Sequence, residues 1–258
     1  MKMYRVLLIL LVIIMSCGQQ AAVDAYKEQI DTSNKRKNYN HQEYKVSRTV
    51  EEIEDEYDDI MNSVVLSSGL RKKVSELRYK YKRSKEAFTD GGYLRQFGND
   101  FYKYNPAYTA PHKVDYIYAS LNYEVDIIKK LIEVLNRLLI YDPYDGYVLV
   151  TSPLMRNLYT ITQHEYDVLY NYLSDENLSK LIRSGELKKI RKVSILLDKF
   201  VKKKEDLIKR YRSQINIVVS KNHNKALIKK ELNKLTGVEF VKGLMSLDEI
   251  VREIKDLV

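Results

Sequence analysis

Residues 186–220 read ELKKIRKVSILLDKFVKKKEDLIKRYRSQINIVVS, and this run decides the fold class. Leu187, Ile190, Val193, Leu197, Val201, Leu207, Ile208, Tyr211, Ile215 and Val218 recur at three- and four-residue spacing, which is the period of one helix face. No proline interrupts the run, and Ser184-Gly185 just before it stops whatever helix precedes. At about 1.5 Å per residue the helix spans roughly 50 Å. It is the expected longest helix and the centre of an all-α bundle. Its opposite face is cationic: Lys188, Lys189, Lys202, Lys203, Lys204, Lys209, Arg210 and Arg212 all fall within it. Like charges at this density repel unless acidic neighbours, solvent or a ligand compensates them. These eight are the candidate ligand-binding residues.

Outward from this run the same period recurs. Thr49 with Glu52 forms a capping box opening a helix over 49–65, with Val50, Ile53, Tyr57, Ile60, Met61 and Val64 as its apolar stripe. Seven of the ten residues from 51 to 60 are acidic. They read as a solvated face and as an internal partner for the basic helix. A second helix is expected over 70–88, with Leu70, Val74, Leu77 and Tyr81 on one face. Residues 89–111 break the pattern with Gly91, Gly92, Gly98, Pro106 and Pro111, and carry Tyr93, Phe97, Phe101, Tyr102, Tyr104 and Tyr108. Those aromatics are either core that holds down a long connection or a recognition loop.

Val114, Ile117, Tyr118 and Leu121 open a stripe that continues through Val125 to Leu139, with Asn122 as the cap of a restart. Asp142-Pro143-Tyr144-Asp145-Gly146 is a turn, and Val148-Leu149-Val150 is read as irregular. Ser152-Pro153 is an N-cap with proline at the first helical position. Leu154, Leu158, Ile161, Val168, Leu169 and Tyr172 follow it. Ser174 caps a short helix containing Leu178, Leu181 and Ile182. Residues 224–235 form another, closed by Thr236-Gly237, and Ser246-Leu247-Asp248-Glu249 is a capping box for the last.

The N-terminus gives the location. Lys2 and Arg5 precede an unbroken apolar run of ten residues, 6–15. That is too short to cross ~30 Å of hydrocarbon, which takes about 20 helical residues. It has the length and flanks of a signal-peptide core. Ile14-Met15-Ser16-Cys17-Gly18 follows, and Cys17 is the single cysteine of the chain. A lone thiol excludes an internal disulfide. Residues 18–47 are polar, mixed in charge and aperiodic. The expected organisation is a signal peptide (1–16), a flexible tether (17–47) and an α-helical domain (48–258).

Formal charge is +9, or +7 once Lys2 and Arg5 leave with the signal peptide. Residues 17–60 hold 6 basic and 11 acidic side chains, and residues 180–235 hold 18 and 5. Export turns this basicity away from nucleic acid and towards anionic polysaccharide, lipid headgroups or an acidic protein. His41, His112, His164 and His223 are scattered, with no pair at metal-ligand spacing. His164-Glu165 reads as a surface pair. No Gly-rich phosphate loop or nucleophile elbow occurs. The chain is read as a non-enzyme without cofactor or metal.

Three stretches carry a resemblance. They are the Ser16-Cys17 junction with its polar tether, Ile117-Tyr118-Ala119-Ser120-Leu121-Asn122-Tyr123 with the helix to Leu139, and Leu187 through Tyr211. Together they resemble the bacterial lipobox and the virulence-associated surface lipoproteins of Borrelia, the family that includes the complement regulator-acquiring surface protein binding factor H. The lipobox resemblance implies lipid on Cys17 and cleavage before it. The family resemblance implies an all-helical, non-enzymatic domain on the outer membrane surface. Some members bind factor H or late complement components, and others plasminogen. No ligand-contact residue is carried over. The best-known member dimerises through one long C-terminal helix. Here Thr236-Gly237 and Gly243 are expected to split that region into two short helices, so the state is monomer or homodimer. The expected role is host interaction or immune evasion through a plasma, complement or matrix protein. A glycosaminoglycan adhesin and a periplasm-facing structural lipoprotein are the alternatives.

Overall fold

Helix formation follows the apolar spacing, and the described residues contain helices and turns with no strand. The computed structural model describes residues 50–93, 108, 110–141, 148–221 and 224–258, with side chains for all of these except 50–60, 139–141, 148, 149 and 225. The signal peptide, Cys17, the tether, Thr49, His41, His223, Phe97, Phe101, Tyr102, Tyr104 and the 142–146 turn lie outside the described residues, as do the acidic side chains of 51–60. Residues 54–258 form one compact unit. In chain order the helices are α1 (Val50–Asp90), α2 (Pro111–Ser120), α3 (Val125–Tyr141), α4 (Val148–Tyr166), α5 (Asp175–Arg183), α6 (Leu187–Ser220), α7 (Lys225–Asn233) and α8 (Val238–Leu257). A π-helical segment, Asp167–Tyr172, extends α4.

α6 buries Ile190, Val193, Leu196, Leu197, Phe200, Leu207, Ile208, Tyr211, Ile215 and Val218 along one side. It packs against α3, α5, α7 and α8. α1, with 41 residues, is longer than the 34 of α6. The two helices expected over 49–65 and 70–88 are one. Ser67-Ser68-Gly69 does not break it, because Ser68 Oγ donates to Val65 O (3.0 Å) within its own turn and Leu70 and Val74 anchor the next turn in the core. The expected stripe of this helix splits at the same place. Leu70, Val74 and Phe88 are buried, but Met61 and Val64 are exposed. At about 100° per residue Met61 stands roughly 180° round the axis from Leu70. Each short window is helical, but the two windows face different ways.

Three further expectations change. α4 begins at Val148, so Pro153 lies inside it and Ser152 is not its cap. Val150 is 6% exposed, and its burial outweighs the one backbone bond that proline forgoes near the helix start. α8 is continuous from Val238, so the Ser246 box lies mid-helix and opens nothing. Gly237 does separate α7 from α8, but Gly243 does not split α8. Gly243 is buried where α8 crosses α6: a Cβ there would stand 2.8 Å from Leu207 Cδ2. Its small size serves close approach. Other stops and caps fall where expected. Ser174 Oγ accepts from Asn177 N (3.3 Å), Asn224 Oδ1 accepts from Leu227 N (3.2 Å), and Gly185 takes φ +68° after α5.

Long polar side chains lock the elements. Arg78 of α1 donates to Leu169 O (2.9 Å) and Leu173 O (2.7 Å), pairs with Asp175 (2.7 Å) and lies over the Tyr170 ring. It thus serves carbonyls at the π-helical segment, where the regular ladder is disturbed. Buried Tyr211 of α6 donates to Leu154 O of α4 (3.1 Å) and meets Phe240 of α8 edge-on at 4.8 Å. Glu231 of α7 accepts from Gln214 (2.7 Å) and pairs with Lys221 (3.2 Å) and Lys234 (2.6 Å). Those bonds, led by Lys234, draw its pKa down to about 2. Tyr93 and Tyr108 pack against the core, which is the core reading of the 93–108 aromatics for the two that are described.

The Gly243 contact makes a graded prediction. Gly243→Ala gains about 1 kcal/mol of helix propensity and displaces only a terminal methyl of Leu207, so denaturant unfolding should find it near neutral. Gly243→Leu overpacks the crossing and should cost about 1–3 kcal/mol, partly recovered in the double variant with Leu207→Ala.

Candidate functional site

Two features stand out once the helices are placed: the outer face of α6 and a cleft beneath its inner face. The eight expected cations do not act together. Lys188, Lys202, Lys209 and Arg210 are exposed, and Lys203 is half-buried. Among the described residues none of these five is in a salt bridge; the same is true of exposed Arg191 and Lys199. Lys189 pairs with Glu186 (2.8 Å) and Arg212 with Glu124 of the turn before α3. Lys204 is on the other side altogether. It sits between Phe200 and Leu207 on the buried face, 8% exposed, ion-paired with Glu165 of α4. Glu165 is 7% exposed, so His164-Glu165 is not a surface pair. Sequence spacing alone placed Lys204 with Lys202 and Lys203. Its phase along 197, 200, 204, 207 and 211 was the signal that it belongs to the core stripe.

The cleft opens between α1, the α2–α3 turn, α4 and α6, with an inner space of about 50 Å³. Leu77, Tyr81 and Ser84 of α1 form one wall, Asn122 and Tyr123 another, and Glu165, Leu169, Phe200 and Lys204 the rest. It continues into a wider groove of about 690 Å³, with which it shares Lys80, Ser84, Asn122 and Glu205. The turn at Asn122 explains the cleft's shape. Asn122 N donates to Ala119 O (2.8 Å) and Tyr123 N to Tyr118 O (2.9 Å), the bond pattern of a left-handed helix stop. Asn122 has φ +54° and Tyr123 φ +57°, the two non-glycine residues with positive φ among those described. Asn122 therefore ends α2 rather than capping α3. Left-handed backbone at a residue as bulky as tyrosine costs about 1–3 kcal/mol and needs support. Tyr123 receives it: its hydroxyl donates to Asp115 Oδ1 (2.9 Å), whose Oδ2 holds Lys85 (2.7 Å), and its ring meets Phe88 at 5.4 Å and Tyr81 at 6.0 Å. The Tyr81 ring lies edge-on beside that of Tyr123, whose hydroxyl proton is committed to Asp115. Burial is the largest cause that holds both phenols above their ordinary pKa.

At the floor, one Glu165 oxygen engages Lys204, while Oε2 is buried without a hydrogen-bond partner. A buried carboxylate oxygen without a donor is costly and unusual. His164, adjacent in sequence, is mostly buried, 3.8 Å from Asp248 Oδ1. Burial lowers its pKa below the ordinary 6.5, against the pull of Asp248 and Asp167. Among the described residues no three His, Cys, Asp or Glu side chains group to hold a metal ion, and no helix is long and apolar enough to cross a membrane. Comparison with protein-family models, curated proteins and solved structures finds no match.

Two outcomes follow. Removing one partner of the buried pair, as in Lys204→Met or Glu165→Gln, should cost about 3–5 kcal/mol in denaturant unfolding, while the double Lys204→Met/Glu165→Leu should cost less than either. His164 is held neutral in the fold, so the unfolded chain takes up more protons just below pH 6.5. The stability it confers is present above that pH and lost as pH falls from there through the lower folded pKa. His164→Gln should flatten this acid slope in a pH series of urea midpoints; an unchanged slope would rule His164 out as its source.

Proposed function

We propose that this chain is a lipid-anchored lipoprotein of the bacterial outer surface that binds an acidic host plasma, complement or matrix protein through the outer face of α6. In this reading it is one of the virulence-associated surface lipoproteins that its sequence resembles, and it is not an enzyme. The observation that carries the reading is the row of exposed cations, Lys188, Arg191, Lys199, Lys202, Lys209 and Arg210, without salt bridges among the described residues. From 188 to 210 the row covers about 33 Å at 1.5 Å per residue, the scale of a protein–protein contact. Unpaired positive charge of one sign speeds encounter with an acidic surface and sets orientation there. The all-α architecture is the one that the resemblance implies. The anchor rests on the apolar run 6–15 and on Cys17, and the finer organisation, a tether presenting a bundle built round α6, belongs to the same reading. A linear anionic polysaccharide also matches a straight cationic row, which keeps the glycosaminoglycan adhesin as the second reading.

The test has two arms. Fatty-acid labelling in the producing cell should mark the wild type and not Cys17→Ala; an unlabelled wild type would sink the anchor. Serum components retained by the immobilised chain should fall at least about tenfold with Lys188→Glu/Lys202→Glu/Arg210→Glu, since each exposed charge contributes of order 0.5–1 kcal/mol. Retention of heparin with no serum or matrix protein would favour the second reading. Unchanged retention by the variant would remove α6 from the site.

A further inference from the structure

The cleft beneath α6 has a chemistry that the cationic face does not share. We propose that it binds a neutral, hydroxyl-rich ligand, the ring of a sugar or a polyol, with one hydroxyl seated against Glu165 and Lys204.

The charges argue for neutrality. Lys204 is paired with Glu165, Lys80 stands 3.9 Å from Glu205, and Arg212 is paired with Glu124. Each carboxylate lining the cleft and its groove therefore has a cation, and Lys209 is the one lining cation outside these pairs. A charged ligand at the floor would have to break the Glu165–Lys204 pair or add a third charge beside it in a poorly solvated place. A hydroxyl does neither. It donates and accepts through one oxygen, so it can give its proton to Glu165 Oε2, which lacks a donor, and accept one of the remaining ammonium protons of Lys204. The Asn122 amide and the Ser84 hydroxyl at the mouth offer the same double capacity to neighbouring hydroxyls.

The walls argue for a ring. Leu77, the aromatic faces of Tyr81 and Tyr123, and Phe200 give apolar area for C–H groups. The inner space of about 50 Å³ takes one edge of such a molecule and the 690 Å³ groove takes the remainder. The backbone argues that the arrangement serves something besides folding. Two successive left-handed residues place Asn122 and Tyr123 side by side on this wall, and strain of that kind is held where the surroundings over-determine it.

The experiment titrates the full chain with neutral oligosaccharides built on glucose, galactose and N-acetylglucosamine, with glucuronate-bearing and sulfated sugars as charged controls. Calorimetry gives the affinity. Intrinsic fluorescence reports on the site because the chain has 22 tyrosines and no tryptophan. The expected result is saturable binding of a neutral sugar that salt does not weaken and that Lys188→Glu/Lys202→Glu leaves unchanged. Asn122→Gly should bind roughly tenfold more weakly, the loss of one well-placed hydrogen bond, with an unchanged or higher Tm because glycine adopts positive φ freely. That pairing separates loss of the site from loss of the fold, and Glu165→Gln should weaken binding at least as much. Failure of every neutral sugar to bind would overturn the proposal and leave the cleft to water. So would binding confined to charged sugars and abolished by salt, or full affinity in Asn122→Gly.

Discussion

The buried ion pair between Lys204 and Glu165 is the constraint on which the packing of α6 turns: the apolar stripe sets the side that faces inward, and the pair lets a lysine sit within it. Lys204 lies on the buried side with Phe200 and Leu207, and its charge is tolerable there only because Glu165 of α4 meets it. Turning α6 by one residue, about 100°, would carry the apolar stripe out of the core and break the pair. The stripe and the pair together leave Lys202, Lys209 and Arg210 outside. Removing either partner alone would leave an uncompensated charge on this buried face.

Ion pairs also attach α1. Lys73 pairs with Asp198 at 2.7 Å, and Arg78 reaches three groups of the α4–α5 junction. Acidic Asp198 and Glu205 of α6 thus meet basic Lys73 and Lys80 of α1. An aromatic cluster of Phe88, Tyr118 and Tyr123 completes the attachment, with Phe88 and Tyr118 at 5.2 Å. Where backbones do not pack closely, long side chains with fixed partners hold the register.

Local chemistry was legible wherever one residue type answers one local need. Gly185 after α5, Ser174 and Asn224 as N-caps, and the apolar stripe of α6 could all be read directly. The misreadings share a cause. The box at Ser246 satisfies a pattern that an uninterrupted α8 overrides, since Leu244, Leu247, Val251 and Ile254 are buried in one stripe through it. Gly243 looks like a breaker and is a contact point. Met61 and Val64 have helical spacing with no core to face. A motif read in a window of a few residues carries no information about what lies across from it.

By itself the sequence determined that this chain is all-α, where most of its helices lie, and that its positive charge is concentrated in residues 180–235, because 3.6-residue periodicity and capping are set by neighbours along the chain. The tertiary structure alone decided that Lys204 meets Glu165, that Asn122 and Tyr123 are left-handed, and that all four line one cleft. Glu165 lies 42 positions from Tyr123 and 39 from Lys204 in sequence. What each does depends on the side chain facing it, and facing residues are brought together by packing, which no local pattern records.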